Sequence, residues 1–198
     1  MKFIESIRVE EGSVQDLVYH NRRVARTISS YWRDVPTPDL DRYCEEAIKR
    51  EGRFISKGVF KLRIIYTDTI ISHTIEPYYA RQIKSLKIVE DNNIDYSFKF
   101  EDRGSVETLF KLREQCDDVL IVKNGFITDT SYCNIIFEKD GILYTPDSPL
   151  LAGTKREKFL ERGMILEKKI RPCDIKRYDK VYLINSMLNF TPVEEIVF

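Results

Sequence analysis

Two dipeptides, Asn124-Gly125 and Asp140-Gly141, constrain this chain more than any other feature. Val119-Leu120-Ile121-Val122 and Phe126-Ile127 flank the first; Asn134-Ile135-Ile136-Phe137 and Ile142-Leu143-Tyr144 flank the second. Asn-Gly and Asp-Gly between apolar runs predict tight hairpins, because both residues tolerate the positive φ that such turns require. The segment then runs through Leu150-Leu151-Ala152-Gly153-Thr154-Lys155-Arg156 into Glu157–Arg162 and Gly163. That pattern reads as a glycine turn opening a short helix with a glycine stop. Two readings stand for it: an ordinary sheet backed by an amphipathic helix, or an anion site at the amide-rich helix start.

At 198 residues the chain can form one domain or two small ones, with a sizeable core. Its 32 basic and 32 acidic residues cancel. No electrostatic footprint for nucleic acid or a membrane surface follows. Cys44, Cys116, Cys133 and Cys173 form no close pair, and His20 and His73 lie far from all of them in sequence. Metal-ligand spacing is absent, and free thiols are expected. Met1-Lys2-Phe3-Ile4-Glu5 breaks into charge at once, unlike a signal peptide, and no apolar run approaches a membrane span. A cytoplasmic protein is expected.

Along the chain, Ile4 to Val9 reads as a strand, with Val14 to Tyr19 returning as its hairpin partner. From His20 to Trp32 the period is helical, and Arg22, Arg23 and Arg26 crowd this helix as a solvated basic face. Thr37-Pro38-Asp39 reads as the start of a second helix, in which Leu40, Tyr43, Cys44, Ala47 and Ile48 repeat on one face up to Gly52. Phe60 to Tyr66 and Ile70 to Glu76 read as paired strands. A joint is expected near residue 82, dividing 1–82 from 83–198. Beyond it, Leu86 to Val89 is a strand, and Ser105 caps a helix through about Gln115. After the hairpins, Ile165 to Ile170 and Val181 to Asn185 are strands, Asp174 to Tyr178 is a helical turn, and Thr191 to Phe198 is a tail strand.

Three groups carry possible chemistry. Lys99 sits between Phe98 and Phe100, Asp129 leaves a hairpin strand before Thr130-Ser131, and Gly153-Thr154 opens the helix. Singly, each has an ordinary explanation: a solvated charge, a turn former and a helix cap. Residue chemistry alone stops at a phosphate site.

Taken together, six segments resemble the class IV aminotransferase family, the fold-type IV pyridoxal-phosphate enzymes. This family includes branched-chain and D-amino-acid aminotransferases and 4-amino-4-deoxychorismate lyase. Ile4–Val9 is similar to its F-E-T-I-R-V strand, and His20-Asn21-Arg22-Arg23-Val24 to H-x-x-R-L. Lys99-Phe100-Glu101-Asp102-Arg103 resembles K-x-x-N-R, and Ile127–Phe137 resembles V-T-E-x-x-x-x-N-L-F. Leu151–Arg156 resembles L-P-G-I-T-R, and Asn185-Ser186-Met187 resembles N-A-L. The order and spacing carry more weight than any single match.

The resemblance implies an α+β fold like that of D-amino-acid aminotransferase. A small N-terminal α/β domain (1–82) would be followed by a larger, mainly antiparallel pyridoxal-phosphate-binding domain (83–198). It implies that Lys99 forms the Schiff base with pyridoxal 5'-phosphate and shuttles the proton, with Ser6 near the place of a catalytic threonine. Asp129 would meet the pyridine nitrogen. Arg23, the amides of Gly153, Thr154 and Lys155, and Ser186 would hold the phosphate. The implied activity is amino transfer between an amino acid and a keto acid, or elimination of pyruvate from aminodeoxychorismate, in a homodimer. Tyr79, Arg81 and Tyr96 are candidates for the substrate carboxylate. The chain departs from the family pattern in starting late, near the F-E-T-I-R-V strand, in Asp129 for glutamate, in Asp102 for asparagine and in Lys155 for threonine. A non-catalytic scaffold that binds a partner is the alternative, and a phosphate-ligand binder using only the Gly153 helix start is a third reading.

Overall fold

The computed structural model describes residues 1–198, apart from the side chains of Arg53 and Phe54. The first strand, β1 (Phe3–Glu10), alternates side chains across its two faces, as a period of two requires. Phe3, Ile7 and Val9 face the core with Glu5 among them, and all four are fully buried. β1 pairs antiparallel with β2 (Ser13–Val14) and with β3 (Val59–Tyr66); β4 (Ile70–Pro77) completes a four-stranded sheet in the order β2-β1-β3-β4. The helices α1 (Leu17–Tyr31) and α2 (Leu40–Glu51) supply Val24, Ile28, Leu40 and Cys44 to the same core.

Two boundaries differ from the sequence reading. The return strand stops at Val14, because Asp16 takes a left-handed conformation (φ 57°) and the helix begins directly at Leu17. The second helix is capped by Asp39 rather than Thr37: the Asp39 carboxylate accepts from the Arg42 amide at 3.0 Å, satisfying a first-turn donor.

The second sheet contains β5 (Ser85–Glu90), β6 (Asp118–Lys123), β7 (Phe126–Thr130), β8 (Asn134–Lys139), β9 (Ile142–Pro146), β10 (Leu166–Lys168), β11 (Lys180–Asn185), β12 (Leu188–Val193) and β13 (Glu195–Val197). Both predicted hairpins are present, with Asn124 and Gly125 at φ 53° and 76° and Asp140 and Gly141 at 51° and 75°. Most pairings are antiparallel; β5 with β6, β5 with β13, and β9 with β10 are parallel. The predicted tail strand is two strands. β12 folds back on β11, and β13 lies beside β5 after the Glu194 and Glu195 amides both donate to the Lys84 carbonyl. The predicted Ser105 helix is α3 (Gly104–Phe110), preceded by Arg103 and followed by a 3-10 turn, Lys111–Arg113. α4 (Thr154–Glu161) follows Gly153, as the glycine turn required.

The chain divides into two compact units, Met1–Ala80 with Phe98–Asp102, and Arg81–Ser97 with Arg103–Phe198. The sequence reading placed Lys99 with everything after residue 82, whereas its segment belongs to the first unit. The reason is aromatic packing and backbone pairing. The Phe3 ring lies 6.3 Å from that of Phe98 and 5.3 Å from that of Phe100. The Ile4 amide donates to the Lys99 carbonyl, and the Glu101 amide to that of Lys2, both at 2.9 Å.

Among the described residues no helix is long and apolar enough to cross a membrane, and no cluster of His, Cys, Asp or Glu is arranged to hold a metal ion. The four cysteines are free thiols.

Candidate active site

The first unit builds a buried charged triad at β1 and α1. Glu5 points inward because strand alternation places it in the row of Phe3, Ile7 and Val9. His20 and Arg23 are three residues apart on α1 and therefore share a face. Arg23 grips Glu5 through both ends of its fork, Nε to Oε1 at 2.8 Å and Nη2 to Oε2 at 2.5 Å. His20 Nδ1 meets Glu5 Oε2 at 2.5 Å. Glu5 and His20 are fully buried and Arg23 is 6% exposed, whereas Arg22 and Arg26 are exposed. The solvated basic face expected for this helix thus excludes its central arginine, which has a buried partner.

Burial pushes the Glu5 carboxyl up, but the charge of Arg23 and the hydrogen bonds from His20 and Arg23 bring it down to about 2. Burial lowers His20, against the pull of Glu5, and the charges of Arg23 and Lys99 lower it further. His20 is therefore neutral, with Nδ1–H donating to Glu5; its Nε2 is buried without a hydrogen-bond partner. Lys99 is half-buried and lies within electrostatic reach of His20, so the first unit brings Arg23 and Lys99 to one neighbourhood. Ser6 is half-buried and, by strand alternation, faces the side of β1 opposite to Glu5.

The second unit holds Asp129 at the end of β7. Asn134 Nδ2 donates to Oδ1 at 2.7 Å, and the Leu151 amide donates to Oδ2 at 2.9 Å. Burial raises its carboxyl to about 6, against these neutral donors and the more distant charge of Arg156. Asn134 also donates to the Leu151 carbonyl at 3.0 Å, tying the strand to the loop before α4. Gly153 is required there, because a Cβ at that position would fall on Asn134 Oδ1. Thr154, Lys155 and Arg156 in the first turn of α4 are all buried. Helix geometry leaves amides of this turn outside the helical ladder. Lys155 Nζ is 3.3 Å from Asn189 Oδ1, and Ser186 sits half-buried in the turn after β11. Tyr79 is 85% exposed, and Tyr96 is buried beside a cavity of about 460 Å³ that Asp95, Lys123 and Asp147 also line.

These residues suit pyridoxal phosphate. Asp129 accepts neutral donors from Asn134 and from the Leu150 and Leu151 backbone, and a buried carboxylate gains from a cationic N–H such as a pyridinium. The first-turn amides of α4, after Gly153, suit an anion.

Sequence reasoning missed Glu5 and His20 as working residues. Their signals were a lone carboxylate in the apolar row of β1 and a histidine and arginine at helical spacing. It also missed Asn134 as the residue that joins Asp129 to the Gly153 turn.

The family model for amino-transferase class IV matches residues 2–196. An uncharacterized protein of Haemophilus influenzae is 32% identical over 191 residues, covering 92% of this chain and 96% of its own. A crystal structure of a proposed 4-amino-4-deoxychorismate lyase from Haemophilus somnus 129pt is 31% identical, with a TM-score of 0.84 over 94% of this chain and 96% of that one. A hypothetical aminotransferase from Mycobacterium tuberculosis, 19% identical, has been solved with pyridoxal phosphate bound and again with α-ketoglutarate and pyridoxamine phosphate. It shares the fold with a TM-score of 0.82, over 98% of this chain and 81% of its own. With the family model matching residues 2–196 and its mixed α/β fold matched, the chain belongs to the class IV aminotransferase family.

Proposed function

We propose that the chain is a pyridoxal-phosphate-dependent enzyme that takes an amino acid or another amino-bearing substrate, and either transfers the amino group to a keto acid or eliminates a fragment as 4-amino-4-deoxychorismate lyase does. The observation that carries this reading is Asp129: a buried carboxylate raised to about 6, fixed by neutral donors beside the Gly153 helix start. Such a group is costly in an empty fold and useful to a bound cationic ring nitrogen.

When bound, pyridoxal phosphate supplies an electron sink that lets a carbon next to the amino group give up its proton. Lys99 would carry the cofactor through its amine and would move that proton to and from the substrate carbon. Asp129 would accept from the pyridine N–H and favour the protonated ring. Arg23, gripped by Glu5, would offer a guanidinium to the phosphate, and Gly153, Thr154, Lys155 and Ser186 would supply amides and hydroxyls to it. Ser6 serves the substrate side. The enzyme works as a cytoplasmic homodimer, which light scattering on the purified protein tests.

Mixing the protein with pyridoxal phosphate should give a yellow absorption band that borohydride fixes, with the reduced label on the tryptic peptide containing Lys99. Lys99→Ala should show no fixed label. A label on another lysine would overturn the assignment of Lys99, and no band in either protein would overturn the enzymatic reading. Screening amino donors for keto-acid-dependent turnover then separates transfer from elimination.

A further inference from the structure

The second unit contains a cavity that none of the proposed cofactor residues lines. It measures about 590 Å³, and its walls are Arg81, Arg103, Val106, Glu107, Phe110, Lys111, Arg113, Ser131 and Tyr132. Four cations therefore face a single carboxylate, Glu107. Among the described residues none of the four lies within 4.0 Å of a carboxylate oxygen as an ion pair, although Arg81 acts at longer range on Asp117 and Asp118.

Packing, rather than salt bridges, positions the arginines. Arg81 lies over the rings of both Phe110 and Tyr132, 5.5 and 5.6 Å from their centroids, a placement that leaves its N–H edge uncommitted. Arg113 also lies over Phe110, 4.1 Å from its centroid, and spends one N–H on the Phe110 carbonyl at 3.1 Å. Arg103 donates from Nη2 to the Ser131 carbonyl at 2.7 Å, while its Nε is buried with no hydrogen-bond partner.

Guanidinium forks match carboxylates in pairs of parallel hydrogen bonds, and the aromatic floor with its flat cations matches a planar ring. The cavity has room for a molecule of that size. We propose that this cavity is a binding site for a small aromatic carboxylate, its carboxylate held by Arg81, Arg103 and Arg113 and its ring against Tyr132 and Phe110. The proposal does not rest on the cofactor reading, and it is tested without cofactor.

The test is isothermal titration of the full-length protein with isophthalate, beside succinate and inorganic phosphate as ring-free anions. Isophthalate should bind saturably and more tightly than either. Arg81→Ala and Arg113→Ala, which leave the Arg103–Ser131 contact intact, should each weaken it about tenfold, the loss expected for a charge-assisted hydrogen bond. Lys158→Ala, on the helix α4, should not. Raising the salt concentration should weaken binding in step with the charge involved. Urea unfolding of each variant separates loss of the site from loss of the fold: only a variant as stable as the parent counts. The proposal is overturned if isophthalate shows no saturable binding, if it binds no better than phosphate, or if both arginine variants bind it like the parent.

Discussion

Glu5 and Asp129 are both buried carboxylates, yet they respond to acid in opposite senses. Glu5, lowered to about 2 in the fold from an ordinary 4.5, binds its proton less readily when folded. Its contribution is present above pH 4.5 and is lost as the pH falls towards 2, amounting to about 3 kcal/mol. Glu5→Gln should therefore flatten the acid limb of a stability–pH curve. At pH 7 it should cost about 3–5 kcal/mol, because it removes the carboxylate that the buried Arg23 fork grips; urea unfolding measures both. Asp129, raised to about 6 from 3.8, binds its proton more readily when folded. The cofactor-free protein should thus lose up to about 3 kcal/mol on this account as the pH rises from 4 through 6. Asp129→Ala should remove that slope, which unfolding midpoints taken across this interval would reveal. A parent protein with no loss of stability across it would show that Asp129 is already compensated.

At the scale of the element, the junction of β8 with the loop before α4 depends on one missing Cβ. Gly153→Ala must displace the Asn134 amide, which in turn holds Asp129. The expected cost is about 1–3 kcal/mol, as for other overpacked sites. Combined with Asn134→Ala the cost should fall below the sum of the two single changes, since the obstructing atom is then gone; a double-mutant cycle by denaturant unfolding checks this.

The same junction shows what the sequence made legible. Both hairpin turns, the Gly153 helix start and the Asp39 region could be read locally, because glycine, asparagine and aspartate specify turn and cap geometry within a few residues. Asp129 and Lys99 were nameable only through the order of six motifs. The partners of Arg23 and Asp129 were not legible, since Glu5 and Asn134 reach them through strand alignment and chain reversal. Where the tail broke into β12 and β13 was set by the hairpin of β12 on β11 and by the pairing of β13 with β5, which lies far away in sequence.

For the whole molecule, the path of the chain matters more than any one contact. It leaves the first unit after Ala80, returns for five residues at Phe98–Asp102, and leaves again. A fragment of residues 1–82 therefore lacks the segment whose Phe98 and Phe100 cover Phe3 and whose carbonyls and amides pair with β1. That fragment should unfold at lower urea concentration than one in which residues 98–102 are joined to it through a glycine-serine linker, as circular dichroism would measure. Equal midpoints would mean that the returning segment adds nothing to the first unit.

The brief return of Phe98–Asp102 also limits how the gene can be recombined. A single breakpoint between residues 23 and 98 splits the first unit, taking Arg23 from one parent and Lys99 from the other. A chimaera then mates the β1 of one lineage to the Lys99 segment of another, and the fit of Phe3 against two foreign rings decides whether it survives. A crossover beyond Asp102, or a pair of crossovers that brings this segment along, keeps β1, the arginine and the lysine on a common inheritance.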